Sequence, residues 1–182
     1  ECGFGYRDSR FKQELDTWVI LAVEFRLNRN RPLQMAYAGV PEELQAMAID
    51  TPAALHVAEA ISRIRTRKLP NPDLLGNAGS FFKNPILPDA RIEALLSAHP
   101  QAPVFSAGQD GFRKVSAAWL IEQAGWKGFR EGDAGIAAQH ALVLVDHGAA
   151  SGQQLLQLAE KVIASVEARF GIALEPEPRI IG

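Results

Sequence analysis

Hydrophobic and polar positions fall into several distinct patterns along the chain. Residues 17–27 (TWVILAVEFRL) mix β-branched and aromatic side chains and alternate in part after Ile20, which predicts a largely buried strand. Residues 28–40 are rich in Asn, Arg, Pro and Gly and predict a loop with Tyr37 near its end. Thr51-Pro52 reads as a helix start, with Thr51 as N-cap and Pro52 at the first helical position, where a missing N–H costs nothing. Ala54, Val57, Ala58, Ile61 and Ile64 then recur on one helical face. Pro70 disfavours helical geometry at Leu69, so this helix should end near Lys68.

Residues 69–79 (LPNPDLLGNAG) have the composition of a linker and suggest a domain boundary. A short strand over Ser80–Asn84, broken by Pro85, and helices over Asp89–Ala98 and Val115–Ala124 are expected to follow. Ala141–Val145 (ALVLV) predicts a buried strand. The last helix is the most explicit. Ser151 and Gln154 form a capping box, Leu155, Leu158, Ala159, Val162, Val166 and Phe170 form one apolar stripe, and Gly171 supplies the stop. Residues 172–182 should be extended, with two prolines that argue against a central strand. The irregular order of strands and helices indicates an α+β fold.

Composition narrows the classes. With 182 residues the chain can bury a core of its own, and 47% hydrophobic with 22% charged residues is ordinary for a globular domain. A net charge of −2 argues against general nucleic-acid or acidic-membrane binding, and no apolar run reaches membrane-spanning length. Cys2 is the only cysteine, so no intrachain disulfide can form, as suits a reducing cytoplasm. Glu1 in place of Met suggests a fragment. His56, His99, His140 and His147 lack metal-ligand spacing, so no metal site is expected.

Four segments carry candidate chemistry. In Asn77–Pro85 (NAGSFFKNP), Gly79 can adopt backbone conformations closed to other residues, and Ser80 would then sit at a sharp bend. If strand geometry continues, Phe81 and Phe82 face opposite ways, one in the core and one over a site. The same run also reads as a plain turn entering a strand, and Ser80 lacks the partners of a hydrolase nucleophile. Arg63, Arg65, Arg67 and Lys68 put four cations within six residues, either a solvated helix end or a clamp for phosphate. Tyr6-Arg7-Asp8-Ser9 offers a guanidinium that could stabilise developing negative charge. Glu175 and Glu177 lie two apart in an extended segment and project to one side, as acid or proton-relay work would need.

Taken together and in order, Tyr6–Ser9, Arg65–Pro70, Gly76–Pro85 and Leu174–Glu177 resemble the UDP-N-acetylenolpyruvoylglucosamine reductases. The resemblance covers nearly the whole chain and is loosest at 28–50 and 86–113. It implies an NADPH-dependent, FAD-mediated reduction of the enolpyruvyl group of a UDP-sugar in peptidoglycan precursor synthesis. It also implies Ser80 as proton donor, with Arg7 and Glu177 at the substrate carboxylate. Tyr37, Lys68, Asn84, Lys127 and His140 would hold the diphosphate and uridine, and Ile20 and Arg179 would lie near the flavin. On this resemblance residues 1–68 are the tail of a vanillyl-alcohol-oxidase-like FAD domain, 69–174 the substrate domain and 175–182 a return toward the first. The expected molecule is a cytoplasmic monomer whose isolated fragment is colourless and inactive. The rival reading is a nucleotide- or diphosphate-binding module without chemistry, built on the 63–68 cations; a purely structural interaction domain is the third.

Overall fold

A computed structural model of the chain describes residues 2–14, 18–28 and 30–180. It divides into two compact units, Glu1–Ser62 and Arg63–Gly182.

In the first unit, a bridge between Gly5 and Asp8 closes a tight turn, and Arg7 within it takes a positive φ of 54°. Helix α1 (Arg10–Gln13) follows, tied at its end by an Arg10–Glu14 ion pair of 2.6 Å. Residues 18–28 form no regular element. The strand expected over 17–27 is therefore not found, and Thr17 lies outside the described residues. A strand needs a neighbour to take up its N–H and C=O groups, and no described residue pairs with this segment. Its alternating side chains Leu21, Val23, Phe25 and Leu27 are all exposed, so a strand-like pattern is present without its sheet.

The loop leading to Gly39 is as expected, but helix α2 (Val40–Ala46) lies where the hydrophobic pattern predicts no element. Pro41 in its first turn, with Glu42 and Glu43, favours that start through fixed φ and the helix dipole. Helix α3 (Ala54–Lys68) ends where Pro70 requires but begins after Thr51-Pro52, not at it. Ala53 takes the N-cap place: its carbonyl accepts from Val57 N–H, and its own N–H donates to His56 Nδ1 at 3.1 Å. Val57, Ala60 and Ile64 form the buried face, whereas Ala54 and Ala58 are exposed.

Among its described residues the second unit contains two antiparallel sheets, the end of α3 and three further helices. Strands β1 (Gly76–Ser80), β5 (Arg130–Glu131), β6 (Ala134–Ile136) and β7 (Val143–Asp146) form one sheet in the order β1-β7-β6-β5. Strands β2 (Ile86–Pro88), β3 (Val104–Ser106) and β4 (Phe112–Val115) form the other, in the order β2-β4-β3. Helix α4 (Asp89–Ala98) packs on β2 and β4, and α6 (Gly152–Phe170) on β6, β7 and α5 (Ala117–Gln123). Helices and antiparallel sheets in this mixture make the fold α+β.

Helix α6 has the capping box, the Gly171 stop at φ 63°, and a stripe in which Leu158, Ala159, Val162 and Val166 are buried. Helix α4 has the expected bounds. Helix α5 starts two residues late, because Val115 belongs to β4 and Ser116 caps the helix by accepting from Trp119 N–H. The strand expected over Ser80–Asn84 lies earlier, at β1. Phe82 is fully buried, and Phe81 packs edge-on against it at 5.1 Å within the same core, so the two rings do not take opposite faces. Among the described residues, no helix is long and apolar enough to cross a membrane.

Candidate functional site

The site begins as an irregularity in β1. Asn77 pairs with Val145 and Ser80 with Val143, so three steps on β1 face two on β7. Gly79 takes up the extra residue at φ +75°. The Asn77 side chain sets this bulge: its Oδ1 accepts from Gly79 N–H at 3.1 Å, and its Nδ2 donates to the carbonyls of Leu75 (2.8 Å) and Pro70 (3.4 Å). A Cβ placed on Gly79 would meet nothing within 4 Å, so glycine is needed here for φ and not for room. Ser80, the next residue, is half-buried.

Immediately after the bulge the chain pairs with its C-terminal segment. Lys83 N–H donates to the Glu175 carbonyl at 2.9 Å, Glu177 N–H to the Phe81 carbonyl at 2.7 Å, and Phe82 bridges Pro176. Of the tail expected to be extended, only Pro176 forms a bridge and residues 177–178 bend, while Ile181 and Gly182 lie outside the described residues; Glu177 is carried to a partner one residue beyond Ser80. The two carboxylates are not equivalent. Glu175 forms an ion pair with Lys83, a contact that no sequence pattern signals, while Glu177 is half-buried and its backbone N–H bonds the residue after the serine.

Ser80 faces Val143, three residues after His140. The His140 ring accepts from Leu142 N–H through Nδ1 at 3.3 Å, which leaves Nε2 to carry the proton of the neutral ring. Burial, and then the charges of Lys68 and Lys127, hold its pKa below the ordinary 6.5. Three residues expected to hold the diphosphate and uridine, Lys68, Lys127 and His140, therefore share one electrostatic neighbourhood. Lys127 also pairs with Glu122 at 2.9 Å. Asn84 plays a structural part, because its Oδ1 accepts from Ala117 N–H at 2.9 Å and so joins Ser116 in capping α5. Arg179 is exposed.

The other candidates lie in the first unit. Lys12 Nζ donates to the Arg7 carbonyl at 3.2 Å, and the Arg7 guanidinium sits 5.9 Å from the centre of the Tyr6 ring. Positive φ in a non-glycine residue such as Arg7 costs roughly 1–2 kcal/mol. Tyr37 is 41% exposed, and its carbonyl accepts from Val40 N–H at the head of α2. Ile20 is 58% exposed. Among the described residues, no group of three His, Cys, Asp or Glu side chains is placed to hold a metal ion.

Comparison with known proteins identifies the family. The sequence model of the family described as "UDP-N-acetylenolpyruvoylglucosamine reductase, C-terminal domain" matches residues 71–181. Relatives named UDP-N-acetylenolpyruvoylglucosamine reductase are 55% identical over 182 residues, in Xylella fastidiosa (strain 9a5c) and in Xanthomonas euvesicatoria pv. vesicatoria (strain 85-10). All of this chain and 52% of each relative are covered, so the chain spans about half the length of the curated relatives it matches. A crystal structure of UDP-N-acetylenolpyruvylglucosamine reductase from Thermus caldophilus is 28% identical, with a TM-score of 0.41 over 69% of this chain and 33% of that one. The chain belongs to the UDP-N-acetylenolpyruvoylglucosamine reductase family, as its C-terminal part.

Proposed function

We propose that this chain supplies the substrate side of an enzyme that reduces UDP-N-acetylglucosamine enolpyruvate to UDP-N-acetylmuramate in cytoplasmic peptidoglycan precursor synthesis. The observation that carries this reading is the Gly79 bulge, which turns the chain at half-buried Ser80, immediately before residues 81–83 pair with the segment bearing Glu177. Hydride addition to the methylene carbon of the enolpyruvyl group leaves negative charge on the neighbouring carbon and its carboxylate. Ser80 gives its hydroxyl proton to that carbon, completing reduction of the double bond, and recovers a proton from solvent. Arg7 stabilises the developing charge, and Glu177 lies at the substrate carboxylate. Lys68, Lys127, Asn84, His140 and Tyr37 hold the diphosphate and uridine.

The family chemistry draws its hydride from NADPH through FAD. The described residues do not fit a flavin by themselves: Ile20 is exposed in a segment without sheet partners, and Arg179 is exposed on the C-terminal segment. We therefore assign flavin binding to the half of the reductase that this chain does not span. Residues 1–68 serve as the tail of that domain, 69–174 as the substrate domain and 175–182 as the return segment. The exposed apolar stripe Leu21, Val23, Phe25 and Leu27 supports this division, because such a stripe is what a strand leaves bare when its sheet is absent.

The test is substrate-dependent NADPH oxidation by the full-length reductase, with Lys68→Ala raising KM. A binding module without chemistry built on Arg63, Arg65, Arg67 and Lys68 would bind a nucleoside diphosphate and never oxidise NADPH.

A further inference from the structure

Apart from the residues used above, the second unit carries a groove of about 280 Å³ lined by Leu87, Arg91, Leu95, His99, Arg169 and Phe170, among others. Leu87, Leu95 and Ile172 are core side chains, so its floor is apolar. Two guanidiniums border it, each held by a backbone carbonyl. Arg91 donates to Gly171, which closes α6, and Arg169 donates to Gln123 at the end of α5 while lying over the Phe170 ring at 5.4 Å. Helix-end capping accounts for these bonds but uses a minority of the five N–H donors on each guanidinium. No carboxylate among the described residues pairs with either charge. His99 rests edge-on against Trp119 (5.6 Å) and Phe170 (5.4 Å), and its ring nitrogens make no hydrogen bond among the described residues.

We propose that this groove binds a small monocarboxylate with a short hydrocarbon body. Two fixed guanidiniums with no acid to neutralise them suit a planar carboxylate, which Arg can grip through paired N–H bonds. The apolar floor suits the hydrocarbon. Inorganic phosphate would leave the floor unused, and a neutral apolar molecule would leave the cations unused. The volume lies just under the roughly 300–1,000 Å³ of ordinary small-molecule sites, which limits the ligand to a small one.

Saturation-transfer NMR of hexanoate with the full-length reductase tests this, with hexanol and inorganic phosphate as separate probes. Hexanoate should bind with a Kd on the order of 1 mM, and both other probes at least ~10-fold more weakly. Arg91 and Arg169 also cap helices, so the Arg91→Gln/Arg169→Gln variant is read beside Ala94→Phe, which fills the groove and leaves both cations in place. Both variants should abolish the hexanoate signal. No hexanoate binding, equal binding of hexanol, or binding that survives Ala94→Phe would each overturn the proposal.

Discussion

Glu177 donates its backbone N–H to the carbonyl of Phe81 at 2.7 Å, so a residue from the end of the chain is fixed against the immediate neighbour of Ser80. Ser80 and Glu177 are 97 positions apart in sequence, and what joins them is three steps of edge pairing between 81–83 and 175–177. This contact ties the C-terminal strap to the bulge.

Gly79 is needed for its φ of +75° and not for space. Gly79→Ala should therefore destabilise the protein by about 1–2 kcal/mol, with Gly79→Asn milder because Asn tolerates the left-handed region. Urea unfolding would rank the three proteins, and an Ala variant as stable as the parent would contradict the bulge geometry.

Asn77 serves three backbone groups of the loop and bulge. Asn77→Ala removes these bonds together and should cost about 1–3 kcal/mol. It should also weaken activity of the whole reductase by displacing Ser80, whereas a purely structural role would lower the melting temperature and leave kcat unchanged.

The His140 pKa lies below 6.5 because of burial first, then Lys68 and Lys127. Below 6.5 the unfolded chain binds the proton more readily, so this ring contributes a loss of stability as pH falls through the window down to its folded pKa. Lys127→Gln should raise the His140 pKa, as followed by NMR titration of the ring protons. An unchanged titration would mean that the lysine charge does not reach the imidazole.

The 182-residue chain on its own should show no flavin absorbance and no NADPH oxidation, since flavin binding is assigned above to the half of the reductase that it does not span. An absorption spectrum of the purified chain is sufficient. A yellow preparation would contradict the division of labour proposed above.

What could be read from the sequence depended on how much of each element is specified locally. Helix α6 carries its cap, stripe and stop within its own residues, so its bounds were legible. Strand β7 was legible as an unbroken apolar run. Strand β1 was not: Gly-Asn-Ala-Gly-Ser has no strand propensity and becomes a strand only by pairing with β7. Strands β2, β3 and β4 have three or four residues each, too few for alternation to register. The apolar pattern at 18–27 erred the other way, because side-chain pattern says nothing about whether a partner strand is present. At the site, family resemblance named Ser80 and Glu177, but the Lys83–Glu175 pair joins residues too distant in sequence to be foreseen. The Asn77–Gly79 contact did have a local signal, an Asn two residues before a glycine, which is the spacing of an Asx turn.

Delivery of the proton by the Ser80 hydroxyl is the step on which the proposed chemistry turns. Its most direct measurement is rapid-mixing absorbance of the Ser80→Ala full-length reductase, with the two half-reactions followed separately. Reduction by NADPH should proceed as in the parent, and reoxidation by the enolpyruvyl substrate should slow by at least ~10²-fold, the lower range for loss of a general acid. Reoxidation at the parental rate would remove Ser80 from the chemistry.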